Sequence, residues 1–168
     1  SKKRLALIES EIAKLEREVA GFDELWQAEK AQVAGSQHIK EAIDKFGALP
    51  EVTPFAVELG KRLEQWGKLT MELGGAAMKN PEEVGAAAAD YLAVSGYICL
   101  GWCWLAAAGV AAKKLAEGDA EADFYKAKLV TTKFYFDRLL PRIDAHAAAA
   151  RAGAAGLMTL PAEHFAFA

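Results

Sequence analysis

YLAVSGYICLGWCWLAAAGVAA, running from Tyr91 to Ala112, carries no formal charge in 22 positions and is built largely from Ala, Gly and aromatic residues. A helix of this composition has no polar face to give to water, so neighbouring helices must cover it. Its length reaches that of a bilayer crossing. Six Ala and three Gly dilute it, however, and it lacks the Leu, Ile, Val and Phe content that drives insertion. Small residues suit close approach by other helices. The segment therefore reads as the central buried helix of an all-α protein, with no membrane span, and it predicts an antiparallel up-and-down bundle of four to five helices.

The flanking sequence supplies the other helices. Leu5, Ile8, Ile12, Leu15, Val19, Phe22 and Trp26 alternate at spacings of 3 and 4, the a/d rhythm of a coiled-coil-like seam sustained for three heptads. Gly21 interrupts it, at about 1 kcal/mol relative to Ala, and Gly35-Ser36 reads as a stop followed by an N-cap. Ile39, Ile43 and Phe46 form a short stripe that Gly47 ends, and Ala48 to Pro54 is a connector. Thr53-Pro54 has the order of an N-cap followed by a proline at N1. Phe55, Leu59, Leu63, Trp66, Thr70, Leu73 and Ala77 then keep one mostly apolar face, opposite Glu58, Lys61, Arg62, Glu64, Lys68 and Glu72.

Asn80-Pro81-Glu82-Glu83 repeats the cap, proline and acidic first turn, opening a long helix to about Glu117 whose interior charge is Asp90. Gly118 is the expected C-cap and Asp119 opens the next helix, with Tyr125, Leu129, Thr132, Phe136, Leu139 and Ile143 on one face. Pro141 must kink or break that helix near Leu140, because its ring removes a backbone hydrogen bond. Gly153 and Gly156 end the Ala-rich run that follows. Leu157, Leu160, Phe165 and Phe167 are expected to fold the tail back on the bundle. There is no strand pattern and no internal repeat.

A chain of 168 residues, 53% hydrophobic, is long enough for one domain, residues 1–168, that needs no staples. The net charge of −3 is spread evenly, with twelve cations against thirteen anions in residues 1–80 and eight against ten beyond, so neither half is built for nucleic acid. Cys99 and Cys103 stand one helical turn apart, where Cβ atoms about 5–6 Å apart exceed the roughly 3.5–4.5 Å of a disulfide. Reduced thiols and a cytoplasmic setting are expected. The start Ser1-Lys2-Lys3-Arg4 is not a signal peptide, and a chain entering a helix so soon reads as cut from something longer.

Few residues suggest chemistry. Cys99 and Cys103 share a helix face but have no further Cys or His at metal-motif spacing, so they read as two small buried residues and no metal site is assigned. His38, His146 and His164 lie in separate segments with no triad-like partner and read as surface or capping residues. Glu82, Glu83, Asp119, Glu121 and Asp123 stand in first turns, where acids stabilise a helix end. Gly96 and Gly101 lie in helix rather than in a phosphate loop, and read as sites where a neighbouring helix approaches. Asp90 needs water or a cation, with Lys128, Lys133 and Arg138 as candidates. Lys126, Lys128, Lys133, Arg138 and Arg142 interleave with Phe124, Tyr125, Phe134, Tyr135 and Phe136; phosphates or a nucleotide ring would suit such a stretch, but a half-buried helix with solvated or paired cations is the simpler reading. No catalytic residue is assigned.

Three blocks together resemble the C-terminal region of the longer acyl-CoA dehydrogenases, including the 3-methylmercaptopropionyl-CoA dehydrogenase type. They are AAAADYLAVSGYICLGWCWLAAA from Ala86 to Ala108, FYKAKLVTTKFYFDRLLPR from Phe124 to Arg142, and AAGLMTLPAEHF from Ala154 to Phe165. The resemblance spans roughly residues 80–166 and implies an appended helical domain following a catalytic core. It implies a parent oxidoreductase that binds FAD and oxidises acyl-CoA to enoyl-CoA with a Glu base. No residue here matches that base or the flavin-binding positions, so the expectation is an inactive structural and interaction domain. Its expected partners are the core of the same polypeptide and another subunit of a homo-oligomer, with the seam from Leu5 to Trp26 as an additional packing face. The alternative is an autonomous bundle that binds a small apolar ligand between helices, near Tyr97, Trp102 and Trp104.

Overall fold

The computed structural model describes residues 8–16, 19, 35–161 and 164, all helix, turn or coil with no strand among them. Contacts divide the chain into two compact units, Ser1–Gln37 and His38–Ala168. In the first, residues 8–16 are helical. Ile8, Ile12, Leu15 and Val19 of the heptad seam are there 47–59% exposed. Leu5, Gly21, Phe22 and Trp26 lie outside the described residues.

The second unit is an all-α bundle, as the sequence leads one to expect. Its helices are α1 (38–46, the part of helix 35–46 within this unit), α2 (Thr53–Ala77), α3 (Glu82–Ala116), α4 (Ala122–Phe134), α5 (Ile143–Ala150) and the single turn α6 (Ala155–Met158). The long helix α3 is the common partner of α2, α4 and α5. Leu59 and Leu69 of α2, Val94, Ile98 and Leu105 of α3, and Leu140 and Ile143 beyond α4 are the fully enclosed centre. Each contributes about 1.5–3 kcal/mol of transfer free energy.

Glycine decides how closely the helices approach α3. A Cβ on Gly101 would stand 3.1 Å from Leu59 and 3.5 Å from Leu140, so this position admits two neighbours as its sequence context suggests. At Gly109 the approach is closer still, and a Cβ there would overlap the Phe46 ring of α1. That ring also lies within 5.2 Å of Lys45 Nζ and 5.4 Å of Lys113 Nζ. Gly96, by contrast, has open space where its Cβ would be, so the helix approach expected there is absent. It sits one turn and more from Gly101 and on a different face.

The helix ends follow local chemistry. Asn80 Oδ1 accepts the Glu82 N–H at 3.2 Å, and Asp119 Oδ1 accepts that of Glu121 at 3.0 Å. Gly118 ends α3 with φ +75° and Gly153 turns the chain after α5 with φ +77°, conformations that glycine adopts without a Cβ penalty. Thr53 departs from its expected capping role. It lies inside α2, with Val52 at the cap position, and its hydroxyl donates back to the carbonyls of Gly47 and Leu49 at 2.7 and 3.0 Å. The hydroxyl thus fastens the connector instead of accepting from the helix.

Pro141 has the predicted effect. A π turn (Tyr135–Leu139) and a 3-10 turn (Leu140–Arg142) join α4 to α5, the wide and tight turns together absorbing the missing donor. The π turn rotates Tyr135 and Phe136 inward, to 3% and 6% exposure. Tyr135 Oη donates to the Tyr97 carbonyl at 2.7 Å. Burial, aided by Tyr97, Cys103 and Cys99, pushes its phenol well above the ordinary tyrosine value. The tail differs from expectation: Leu157 and Leu160 are 65% and 49% exposed, while Phe165 and Phe167 lie outside the described residues.

Gly109→Ala should lower stability by about 1–3 kcal/mol through overpacking against Phe46, whereas Gly96→Ala should raise it by about 0.5–1 kcal/mol; urea unfolding of the two variants measures both. Tyr135→Phe should cost about 0.5–1.5 kcal/mol at neutral pH. The raised phenol favours the neutral form in the folded state, so its stabilisation is complete below the unfolded tyrosine pKa and is lost as pH rises beyond it. The alkaline decline should therefore be shallower in Tyr135→Phe, as unfolding midpoints across the alkaline range would record.

Candidate functional site

Charge first distinguishes the two sides of the bundle. On the side of α2 and α5, polar groups pair between helices. Arg62 of α2 donates from Nε to Glu58 at 2.8 Å and from Nη1 to Asp144 of α5 at 2.5 Å. Partial burial works to lower its guanidinium, but the bonds to Asp144 and Glu58 prevail and hold it above its ordinary value. Arg151 Nε donates to Glu72 at 2.6 Å, closing the same pair of helices further along. Exposed pairs of this kind contribute about 0–1 kcal/mol each.

Asp90 is paired here too, but with a residue the sequence reading left among surface and capping positions. Its Oδ1 lies 2.8 Å from His146 Nδ1 of α5, both side chains about one-third exposed. The His146 ring also packs on Tyr97, with centroids 5.8 Å apart. The three cations proposed for Asp90 do not fill this role. Lys133 pairs with Asp137 at 2.6 Å, Lys128 lies over the Phe124 ring at 5.0 Å, and Arg138 is on the exposed surface. α5, which follows the turn at Pro141, runs back along the first half of α3, so it brings His146 to Asp90.

The other acidic and imidazole groups also have structural roles. Glu83 Oε2 accepts the Ala154 N–H at 3.1 Å, and Glu83 Oε1 accepts from Asn80 at 3.3 Å; it caps the chain leaving α5 as well as opening α3. His38 lies 3.6 Å from Glu41, and its ring is 6.4 Å from that of Trp102. His164 is exposed. Among the described residues, no three His, Cys, Asp or Glu side chains gather where a metal ion would be held.

The opposite side is apolar and open. Leu92, Cys99, Cys103 and Val110 recur at helical spacing on α3, and all are exposed. The two cysteines are free and exposed rather than buried, because α2, α4 and α5 occupy the other flanks of α3. Residual shielding and the neighbouring Cys103 still push the Cys99 thiol up. A groove of roughly 340 Å³ between Ala106, Val110 and Ala111 of α3 and Phe124 and Tyr125 of α4 continues this surface. On α4, Phe124, Val130 and Phe134 are 53%, 69% and 57% exposed. Apart from Lys128 at its edge, the face has no cation to complement a phosphate, and Lys126 and Lys133 are engaged by Asp123 and Asp137. α3 is long and apolar enough to cross a bilayer by length and composition, yet it is packed on three helices and one-third of its most apolar window is buried.

Tyr97, Trp102 and Trp104, near which a ligand site is the alternative expectation, each pack on a different ring among the described residues. Tyr97 packs on His146, Trp102 near His38, and Trp104 near Tyr135 with centroids 6.4 Å apart. They line neither the α3/α4 groove nor the open groove of roughly 620 Å³ between Leu49–Glu51 and the end of α3.

Fold and surface together define an all-α bundle with one side tied by ion pairs between helices and the other left apolar. A family model described as acetyl-CoA dehydrogenase C-terminal like matches residues 28–161, and the chain belongs to this family. Shorter stretches are similar to the chaperone protein ClpB. Identity is 40% over 70 residues with that of Vibrio cholerae serotype O1, covering 41% of this chain and 8% of the chaperone. It is 53% over 45 residues with that of Dichelobacter nodosus, covering 27% and 5%. The chain thus spans less than a tenth of the length of these relatives.

Both cysteines should be alkylated in the folded chain without denaturant. Because the Cys99 thiol is raised, less of it is thiolate near neutrality, and its rate should keep rising with pH beyond the ordinary thiol range. Peptide-resolved iodoacetamide labelling at a series of pH values checks this.

Proposed function

We propose that this chain is the appended C-terminal domain of an FAD-dependent acyl-CoA dehydrogenase, one that oxidises acyl-CoA to enoyl-CoA, and that it acts by docking rather than by chemistry. The observation that carries the reading is the exposed apolar face of α3 and α4 in a chain of this family. Monomeric surfaces rarely leave contiguous patches of this kind open unless something binds them. A domain named for its C-terminal position adjoins the polypeptide before it, so the occupant is the catalytic core of the same parent.

In this reading the described residues hold no part of the flavin. Phe124 and Phe134 are exposed, Lys126 and Lys133 pair with Asp123 and Asp137, and Lys128 lies over the Phe124 ring, so this face offers a dinucleotide no set of convergent donors. The flavin, when bound, supplies hydride acceptance in the core. The residues of this chain exclude water from the face they cover and fix the core's position. The three sequence blocks support a parent of the 3-methylmercaptopropionyl-CoA dehydrogenase type, and two free thiols support a cytoplasmic setting.

The test uses the parent enzyme. Cys99 and Cys103 should be protected from alkylation in the parent and reactive in the separate domain. Leu92→Glu with Val110→Glu should leave the separate domain's urea midpoint nearly unchanged, since both positions are exposed, while loosening the parent and lowering its turnover. Equal labelling in the two contexts, with unchanged turnover in the double variant, would rule out docking through this face.

A further inference from the structure

The N-terminal unit presents a second apolar surface of different character. Ile8 and Leu15 occupy d positions, Ile12 and Val19 a positions, and all four are about half exposed. Among the described residues of this unit, no facing helix offers the holes that such side chains would fill. The e and g positions beside it say what that helix must carry. Glu9 and Glu16 stand at e and Glu11 at g, all exposed, and Glu18 and Asp23 continue the pattern in the sequence. From Glu9 onward the seam is thus bordered on both sides by carboxylates, after Lys2 and Arg4 at the e and g positions that precede it.

Residues at e and g set partner choice in coiled coils. A second copy of this segment would bring Glu11 of one helix against Glu16 of the other in a parallel pair, and Glu9 and Glu16 against their equivalents in an antiparallel pair. Either arrangement sets like charges together. Nor do the two longest described helices of this chain suit the seam. The apolar face of α2 is buried in its own bundle, and α3 has no cation between Glu82 and Lys113.

We infer that the seam Ile8–Ile12–Leu15–Val19 binds an amphipathic helix of a different polypeptide, one with apolar a/d residues and Lys or Arg at its e and g positions. The apolar rows supply the attraction common to many helices, and the three carboxylates reject acidic ones and favour basic ones. This surface belongs to the N-terminal unit, so its occupancy is separate from the docking proposed for α3 and α4.

The experiment titrates the full 168-residue chain with three synthetic 21-residue helices by calorimetry, alongside sedimentation of the chain alone. One peptide has Ile and Leu at a and d with Lys at e and g; the second has Glu at e and g; the third keeps the lysines but has Ser at a and d. The first should bind, more weakly as salt rises, with the second weaker by about tenfold or more and the third not binding. Ile12→Asn should abolish binding while leaving the circular dichroism and unfolding of the chain essentially unchanged, and the free chain should sediment as a monomer. Comparable binding of the Lys and Glu peptides, binding of the Ser peptide, no binding by any peptide, or self-association through the seam that Ile12→Asn removes would each overturn the inference.

Discussion

The bundle depends on how closely its neighbours approach the backbone of α3. At Gly101 the side chains of Leu59 and Leu140 fill the space of a missing Cβ, and at Gly109 the Phe46 ring does the same. Dispersion falls steeply with separation, so helices held a further ångström away would forfeit much of their contact energy. Two hydrogen atoms in place of two methyl groups therefore set the positions of α1, α2 and the chain beyond α4 together. The absence of charge in this helix follows from the same requirement: a lysine or glutamate at the contact would be stranded from water.

A second constraint comes from Pro141. The π turn before it rotates Tyr135 and Phe136 into the core, and the 3-10 turn after it sends α5 back along α3. Once α5 takes that path, its polar residues meet those of two other helices: Asp144 meets Arg62, Arg151 meets Glu72, and His146 meets Asp90. The loop leaving α5 then closes on Glu83 through the Ala154 N–H. These contacts add little stability one by one at an exposed surface, but together they hold the short α5 in one register.

Concentrating the pairs on the α2/α5 side leaves α3 and α4 with an apolar side that nothing in the described chain covers. Scattered apolar residues on a surface need no explanation. Here Val110 and Phe124 line a groove shared by two helices, and Leu92 is exposed further along α3. Membership in the acetyl-CoA dehydrogenase C-terminal like family is the ground on which we propose a catalytic core as its neighbour. The N-terminal seam differs in kind, since exposed carboxylates stand beside it where the α3/α4 face is apolar.

By itself the sequence determined the helices and their ends. Periodicity placed α2 and α3 within a residue or two, Gly118 and Asp119 marked the turn into α4, and Pro141 located the break. These are local properties, settled by backbone geometry and by groups within one turn of each other. The candidate surface was less legible. Cys99 and Cys103 read as buried because a residue's type says how apolar it is, not which flank of an uncharged helix the neighbours choose. Gly96 and Gly101 read alike for the same reason, and tertiary packing separated them. Asp90 had three plausible cations in the sequence, yet it lies beside His146, because a pairing across 56 positions depends on the path that α5 takes after the π turn. Only the folded chain decides such contacts, since they depend on the direction in which whole helices run.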